Sequence, residues 1–355
     1  MDLNNLIFLF FLFFLGFFLI NYIPSLVKKI NSNLLIDNQF SKPQAFHEYP
    51  VSVLGGLCIF SSYFIVFLFF FIFQKNIYYE YITFCSLFFL LGLIDDLKIN
   101  IKPKFRLITM IGLLIILVII NDFYIEKTGI EFLNYFLEID IFALFFICLC
   151  FLFIINGANL VDGFNGLLGI HSLIIFINLF FINYFNNNTD LAYLLLCGII
   201  ILITFLKFNF PSPKIFLGDS GSYFLGSFLS VAVIQTSIEN PSISPFYFCM
   251  VLFYLFFEVF FSFIRKIAIE KKSPLFPDKK HLHMLLYEVL YLKNKNKLKS
   301  NYSVSIFINS VYLILIIPAI FIKNNGLFCK YYSLFFFLTY IFSYKLCKDR
   351  INKFK

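Results

Sequence analysis

The chain has 355 residues, of which 61% are hydrophobic and 14% are charged, and it contains 56 Phe. A soluble domain is about half apolar and about a quarter charged, so this composition excludes one and points to a membrane protein. The net charge of +8 comes from Lys and Arg in short connections. These form no stable basic stripe interleaved with aromatic residues, which argues against nucleic-acid binding.

Apolar runs that are long enough to cross a bilayer, which takes about 20 helical residues, follow one another along the chain. The runs are continuously apolar, so they favour helices over the alternating strands of a barrel. Without an internal repeat or a long polar connection, we expect a single all-α polytopic membrane domain over residues 1–355. The runs predict about eleven transmembrane helices, at roughly 5–27, 51–73, 79–94, 107–124, 139–156, 167–185, 191–208, 221–237, 246–268, 302–322 and 330–347.

The basic residues are distributed unevenly between the two sides of these spans. One set of connections and the C-terminal tail carries 24 of the 28 Lys and Arg, while the opposite set carries Lys75, Lys127, Lys323 and Lys330. The positive-inside rule therefore predicts an outside N-terminus and a cytoplasmic C-terminus, as an odd number of spans requires. Four polar clusters then share the cytoplasmic face.

The first polar cluster is the pair Asp95-Asp96, at the end of a predicted span. Adjacent carboxylates repel each other, which favours a raised pKa or a nearby cation. Acidic residues beside lipid are costly and by default indicate function. A solvated helix end is the plain alternative for this pair.

The second cluster runs from Asn156 to Gly166 and combines amides, a carboxylate and glycines that permit close backbone approach. Asn156, Asn159 and Asp162, with Gly163 directly after them, suit a base or a sugar. An Asx-rich helix cap explains one or two of these residues but not the whole set.

The third cluster, Gly218 to Ser222, precedes another apolar helix. Its backbone N–H groups and the positive end of the helix dipole suit phosphate oxygens, and Asp219 suits the accompanying magnesium. A plain N-cap made by Asp219 or Ser220 explains the same residues.

The fourth cluster contains His281 and His283, two residues apart in a basic loop. Imidazoles there suit phosphate or a metal, although zinc is disfavoured without an adjacent cysteine. Ordinary surface histidines are the alternative. Taken together, carboxylates, amides, glycines and cationic donors on one face indicate a magnesium-diphosphate site.

These motifs resemble those of the polyprenyl-phosphate N-acetylhexosamine-1-phosphate transferases of glycosyltransferase family 4, over nearly the whole chain. The similarity rests on the Asp-Asp pair with Lys104 downstream, the Asn-x-x-Asn-x-x-Asp-Gly-x-x-Gly-Leu string and the Gly-Asp-Ser-Gly-Ser loop, in that order. Arg265 and Ser273-Pro274 precede the His-x-His loop in the same way.

The form of the last loop resembles the undecaprenyl-phosphate N-acetylglucosaminyl-1-phosphate transferase branch more than the phospho-N-acetylmuramoyl-pentapeptide transferase branch, which has three consecutive His. Residues 42–50, before Gly55-Gly56, resemble O-antigen-type initiators. The sequence departs from the family pattern at five places: Ser52-Val53-Leu54 replaces Thr-Pro-Arg, a Gln after Lys104 is absent, Glu258 replaces Asp, Lys279 replaces Arg, and Met284 replaces a third His.

The resemblance implies an enzyme of the bacterial inner membrane that transfers an N-acetylhexosamine-1-phosphate from a UDP-sugar to undecaprenyl phosphate. UMP is released, and the product starts a cell-envelope glycan such as O-antigen. The implied cofactor is Mg²⁺, which Mn²⁺ can replace. The implied partners are both substrates and membrane lipid, and a homodimer is left open.

The resemblance also implies roles for single residues. Asp219 is the leading magnesium ligand, and Asp95 and Asp96 position the metal or the lipid phosphate. The nucleotide-sugar is assigned to Asn156, Asn159, Asp162 and Gly163, and contacts to phosphates or sugar are assigned to Lys104, Arg265, Lys279, His281 and His283.

Two other functions remain open from the sequence. An ion-coupled transporter also uses intramembrane carboxylates and broken helices, but it typically places them at the midplane of two related halves. A catalytically weakened lipid-binding homologue is the other alternative, motivated by the missing Arg before Gly55-Gly56.

Overall fold

The structure, a computed structural model, describes residues 3–30, 35–37, 49–99, 101–274 and 278–354. Of the segment that resembles O-antigen-type initiators, residues 42–48 lie outside these ranges. The described elements are α1 (Leu3–Ile30), β1 (Ile36–Asp37), β2 (Val51–Ser52), α2 (Gly55–Phe69), α3 (Tyr79–Asp96), α4 (Pro103–Ile120), α5 (Glu131–Leu137), α6 (Asp140–Val161), α7 (Leu167–Phe185), α8 (Thr189–Asn209), α9 (Gly218–Glu239), α10 (Pro245–Val251), α11 (Phe253–Ile264), α12 (Leu282–Asn294), α13 (Lys297–Ile322) and α14 (Gly326–Phe354). Two π-helical segments, Phe70–Gln74 and Arg265–Ile269, continue α2 and α11.

Nine helices in the described ranges are long and apolar enough to cross a membrane, and the bent pair α10 and α11 would make a tenth. Helix α3 coincides with the predicted span 79–94, but three of its 18 residues are acidic. The prediction of an all-α, multi-pass membrane protein is confirmed. The count of eleven and the orientation of the termini stay predictions.

Helix α6 continues further than the sequence predicts. Its predicted span ends at residue 156, but the helix runs to Val161 and the Asp162 N–H still donates to the Ala158 carbonyl at 3.2 Å. Gly157 and Ala158 are buried, and the small residue at 157 lets the backbone of Leu255 in α11 approach closely. Tertiary packing thus extends the helix past Asn156 and Gly157, which are weak helix formers, and Asn156 and Asn159 lie on its last turns.

The prediction of one continuous span over residues 246–268 is wrong. Helices α10 and α11 meet at Leu252 at an angle of 79°. Neither Pro nor Gly stands at the break, so the sequence carries no local signal for it. The Val251 carbonyl at the break accepts a hydrogen bond from the Tyr312 hydroxyl of α13 at 2.7 Å. This bond satisfies the carbonyl, which lipid hydrocarbon cannot do because it has no hydrogen-bond donor.

Helix α9 lies at the centre of the bundle, where it packs against α2, α3, α6 and α7. Of its most apolar 18-residue stretch, 78% is buried. Small residues along the helix allow this packing, and the Ser227 and Ser230 hydroxyls donate to carbonyls of the preceding turn at 2.9 and 2.8 Å. The first turn of α9 is consequently surrounded by the ends of several other helices.

Candidate active site

The N-terminus of α9 is held by Asp96 from the end of α3. The two oxygens of the Asp96 carboxylate accept the backbone N–H groups of Asp219 and Ser220 at 2.8 and 2.9 Å. A negative charge at this position also interacts favourably with the helix dipole. The sequence predicts that these N–H groups suit phosphate oxygens, but in the structure they already donate to the Asp96 carboxylate.

Two glycines make this contact between α3 and α9 feasible. Gly218 has a φ of +77°, the left-handed conformation in which a side chain is strained, and a Cβ there would lie 2.7 Å from Asp96 Oδ2. A Cβ on Gly92 would overlap the backbone of Asp219. Both positions therefore exclude larger residues if Asp96 is to reach the first turn of α9.

Asp95, the other carboxylate of the pair, contacts a different partner. Arg106 Nη1 lies 2.7 Å from Asp95 Oδ2 and 3.9 Å from Asp219 Oδ2. Lys104 is exposed on the first turn of α4 and, among the described residues, has no ion pair with either carboxylate. The sequence analysis did not single out Arg106, and the predicted contact of Lys104 with phosphates or sugar stays a prediction. The helix starts at Pro103, and the turn of α4 directs Arg106 inward instead.

Asn159 links the end of α6 to the same carboxylate. Its side-chain amide donates to Asp219 Oδ1 at 2.8 Å and to the Ser222 hydroxyl at 3.0 Å. The Asn156 amide donates instead to the Leu152 carbonyl of its own helix, at 2.8 Å. Of the two asparagines predicted to bind nucleotide-sugar, the structure brings Asn159 to Asp219 and leaves Asn156 one turn away.

Asp162 follows directly after α6 and faces the same cluster. Part of its side chain is accessible, but the surrounding protein desolvates the carboxyl and, with repulsion from Asp219 and Asp96, raises its pKa well above the usual range. At the neighbouring Gly163, a Cβ would meet no atom within 4 Å. The Asp162 carboxyl group therefore lies next to open space at the end of α6.

The later part of the predicted nucleotide-sugar motif has a structural role. The Asn165 amide donates to the Pro211 carbonyl at 3.0 Å, and its backbone N–H donates to the Asn301 side chain at 2.8 Å. The Gly166 N–H donates to the Asn209 side chain at 2.7 Å. These bonds fix the turn between α6 and α7, so Asn165 has a structural role, although its side chain does not cap α7.

The two predicted histidines flank a buried glutamate on α11. His281 Nδ1 lies 3.2 Å from Glu258 Oε2, and His283 Nδ1 lies 3.4 Å from Glu258 Oε1. The imidazole rings are parallel within 6°, with centroids 5.5 Å apart. Burial lowers the pKa of His283 below its usual value, against the opposing effect of Glu258. Surface histidines are therefore excluded for this pair.

Arg265 is buried and already paired. Its guanidinium lies 2.8 Å from Glu270 and 2.8 Å from Asp278, on the two sides of the loop that leads to His281. Although burial raises the pKa of Asp278, the Lys280 backbone N–H and Arg265 hold it below its usual value. Lys279 is exposed beside this cluster. Arg265 thus anchors the loop, and its predicted contact with substrate stays a prediction.

The four predicted clusters lie at one end of the bundle. Asp96 and Asn159 each contact the first turn of α9, and the Phe164 ring, in the turn after Asp162, lies edge-on to His283 with centroids 5.6 Å apart. We call Asp95, Asp96, Asp162 and Asp219 with Arg106 and Asn159 the carboxylate site. Glu258, His281, His283, Arg265, Glu270 and Asp278 form the histidine site.

Comparison with known proteins matches residues 78–237 to the family model of glycosyl transferase family 4. The match begins just before α3 and ends near the end of α9, so it contains every residue of the carboxylate site. Through this segment, the chain is similar to glycosyl transferase family 4.

Curated members of the family are similar to this chain over longer stretches. An undecaprenyl-phosphate alpha-N-acetylglucosaminyl 1-phosphate transferase of Thermotoga maritima is 28% identical over 275 residues, which cover 76% of this chain and 77% of the relative. Its counterpart in Escherichia coli K12 is 23% identical, with coverage of 68% and 66%. A phospho-N-acetylmuramoyl-pentapeptide-transferase of Dictyoglomus turgidum is 33% identical over 55% of this chain and 62% of its own length.

The residues of the carboxylate site fit a magnesium ion that is shared with a substrate. In the described residues, no three His, Cys, Asp or Glu side chains converge closely enough to enclose a metal. Mg²⁺ does not need such a cage, because it is usually held by one or two carboxylates together with substrate phosphates and water. The Asp219 side chain is 40% exposed, and the Asp162 carboxyl lies close enough for the two groups to repel each other when charged, which matches this mode of binding.

Proposed function

We propose that this protein transfers an N-acetylhexosamine-1-phosphate from a UDP-sugar to undecaprenyl phosphate and releases UMP. The observation that carries the proposal is the convergence of three helix ends on Asp219: Asp96 from α3, Asn159 from α6 and Arg106 from α4. Names of similar proteins provide the substrate classes, with N-acetylglucosamine as the first sugar to test. The protein then acts in a bacterial inner membrane and starts a cell-envelope glycan such as O-antigen.

The reaction joins two anions, so its main barrier is electrostatic. An oxygen of the lipid phosphate forms a bond to the β-phosphorus of the UDP-sugar, and the bond from this phosphorus to the bridging oxygen breaks, leaving with UMP. Catalysis of such a transfer depends on holding both phosphates in line and on neutralising their charge. Lipid phosphate is mostly ionised at neutral pH, since its second pKa is near 6, so a general base is not required.

The residues of the carboxylate site would divide this work. Asp219, with Asp162 beside it, would hold Mg²⁺, which when bound supplies positive charge to the diphosphate. Arg106 would add a further positive charge, and Asn159 fixes the orientation of the Asp219 carboxylate through Oδ1. Asp96 is a positioning residue, because it holds the turn that carries Asp219.

The histidine site borders the carboxylate site through Phe164 and His283. Glu258 fixes both imidazoles in parallel planes, and Arg265 fixes the loop that precedes them. We infer that this arrangement closes the side of the site that faces the nucleotide-sugar. His283 and the exposed Lys279 would then contact the sugar or its diphosphate.

The test is transfer by the purified full-length protein. Undecaprenyl phosphate and Mg²⁺ are incubated with radiolabelled UDP-N-acetylglucosamine, UDP-N-acetylgalactosamine or a UDP-6-deoxy-N-acetylhexosamine, and the lipid is extracted. We expect labelled lipid with one donor and equimolar UMP, and neither product with the Asp219→Asn variant. UDP-sugar binding without lipid labelling from any donor would instead support a catalytically weakened homologue.

A further inference from the structure

Arg106 places a positive charge between two carboxylates of the carboxylate site when no divalent cation is bound. Its Nη1 atom is 2.7 Å from Asp95 and 3.9 Å from Asp219, so one guanidinium bridges two carboxylates of different helices. The Arg106 side chain is 29% exposed and that of Asp95 is 12% exposed, so both charges are partly shielded from water. Such a bridge is therefore screened less than one on an open surface.

The neighbouring groups restrict what Arg106 can do. Both oxygens of Asp96 accept backbone N–H groups, so the negative charge of that residue is directed to the first turn of α9. Asn159 engages Asp219 through Oδ1, whereas Arg106 approaches it on Oδ2. In the described part of the chain, the buried Tyr223 hydroxyl has no hydrogen-bond partner, and it lies within electrostatic reach of both Asp219 and Arg106.

We propose that Arg106 is a resident counter-ion that competes with the divalent cation for Asp219, and that Asp95 restrains it. This inference rests on the proposed function, because it assumes a cation at Asp219. When the cation is absent, Arg106 offsets the negative charge of Asp95 and Asp219. When the cation binds, the two positive charges repel each other, and the short pair with Asp95 holds Arg106 away from the metal.

The proposal assigns Asp95 a different role from direct ligation, and the two roles predict opposite results. If Asp95 restrains Arg106, the Asp95→Asn change releases the guanidinium toward Asp219 and weakens metal binding. Removing Arg106 from the same variant should then restore it. If Asp95 is itself a metal ligand, the second change cannot replace the lost ligand.

The experiment measures Mn²⁺ binding by electron paramagnetic resonance on purified full-length protein without substrates. Relative to the wild type, we expect Arg106→Met to bind Mn²⁺ about tenfold more tightly and Arg106→Lys to stay within about threefold. Asp95→Asn should bind about tenfold more weakly, and the Asp95→Asn, Arg106→Met double variant should return to at least wild-type affinity. Arg350→Met removes an exposed charge from α14 and should change nothing.

Several results would overturn the proposal. Unchanged or weaker binding by Arg106→Met would show that Arg106 only joins α4 to α3, and failure of the double variant to recover would make Asp95 a ligand. Absence of Mn²⁺ binding in both the wild type and Arg106→Met would also reject it. Lipid labelling by the wild type is measured on the same preparations, so failure of the counter-ion proposal is distinguishable from failure of the transferase proposal.

Discussion

The carboxylate site and the histidine site lie at the same end of the bundle but balance their charges differently. In the carboxylate site, the guanidinium of Arg106 pairs with Asp95 and approaches Asp219, and among the described residues Asp96 and Asp162 have no ion pair. In the histidine site, Glu258, Glu270 and Asp278 are matched by Arg265, Lys266, Lys280 and two imidazoles. The carboxylate site therefore has fewer positive than negative side chains, whereas the positive side chains of the histidine site match its carboxylates.

This difference indicates which site receives a cation. Uncompensated carboxylates at a partly exposed position attract a divalent ion, whereas a buried and paired network has no charge left to offer. The family model also covers the carboxylate site and ends before the histidine site. We therefore expect changes in the carboxylate site to alter chemistry and metal binding, and changes in the histidine site to alter structure and substrate affinity.

The largest effect should come from Asp219→Asn. An amide keeps the shape of the side chain but cannot offset a dication, so we expect turnover to fall by about 10³-fold with little loss of thermal stability. Lipid labelling at several Mg²⁺ concentrations measures it. Asp140→Asn, at the opposite end of α6 and exposed, is the matched control. Ordinary turnover by Asp219→Asn would remove this residue from the site.

The second effect is on stability and comes from the histidine site. Glu258→Gln keeps the length of the side chain but removes the charge that two imidazoles contact, so we expect a loss of about 2 kcal/mol in the free energy of unfolding. Thermal unfolding can be followed with a thiol-reactive fluorophore, since six of the eight cysteines are buried. Glu131→Gln, on the exposed face of α5, is the control. A stable variant with reduced turnover alone would make Glu258 part of the chemistry.

Much of this architecture could be predicted from the sequence because apolar runs specify membrane helices directly. Each predicted span overlaps a described helix except 246–268, which is divided between α10 and α11, and the four polar clusters are adjacent in space. The break at Leu252 could not be predicted, because it depends on the Tyr312 hydroxyl of a distant helix and not on a local Pro or Gly. Backbone groups in lipid must be satisfied, and only the fold shows which partner does so.

The sequence placed most of these residues in polar clusters, but it did not show which residues would contact each other. Asp95 and Asp96 are adjacent in sequence, yet one pairs with Arg106 and the other caps α9, which is 123 residues away. A helical turn decides that Arg106 and not Lys104 reaches the cluster, and the sequence places both in the same connection. Glu258 was visible only as a departure from a family pattern, although it contacts both histidines.

A third prediction separates Asp96 from Asp95. Asp96→Asn removes one acceptor and the negative charge from the N-terminus of α9, so we expect a loss of about 1 kcal/mol in stability together with reduced turnover. Asp95→Asn should reduce turnover with a smaller loss of stability, because its partner is a side chain and not a helix end. Equal loss of stability in both variants would contradict the capping role.

The smallest effect should have the opposite sign. Asp162 is desolvated and repelled by Asp219 and Asp96, so its carboxylate is unfavourable in metal-free protein. We expect Asp162→Asn to raise the stability of this form at neutral pH by less than about 1 kcal/mol, while UDP-sugar binding weakens, as measured by calorimetry.

Because the pKa of Asp162 in the folded state lies above the usual 3.8, the folded protein keeps a proton that the unfolded chain has released. The free energy of unfolding from this group therefore falls as pH rises from 3.8 through the folded-state pKa, and the variant should lose that part of the pH dependence in circular dichroism melts. A destabilised Asp162→Asn protein would show that the carboxylate has a structural partner and that the site is not short of positive charge.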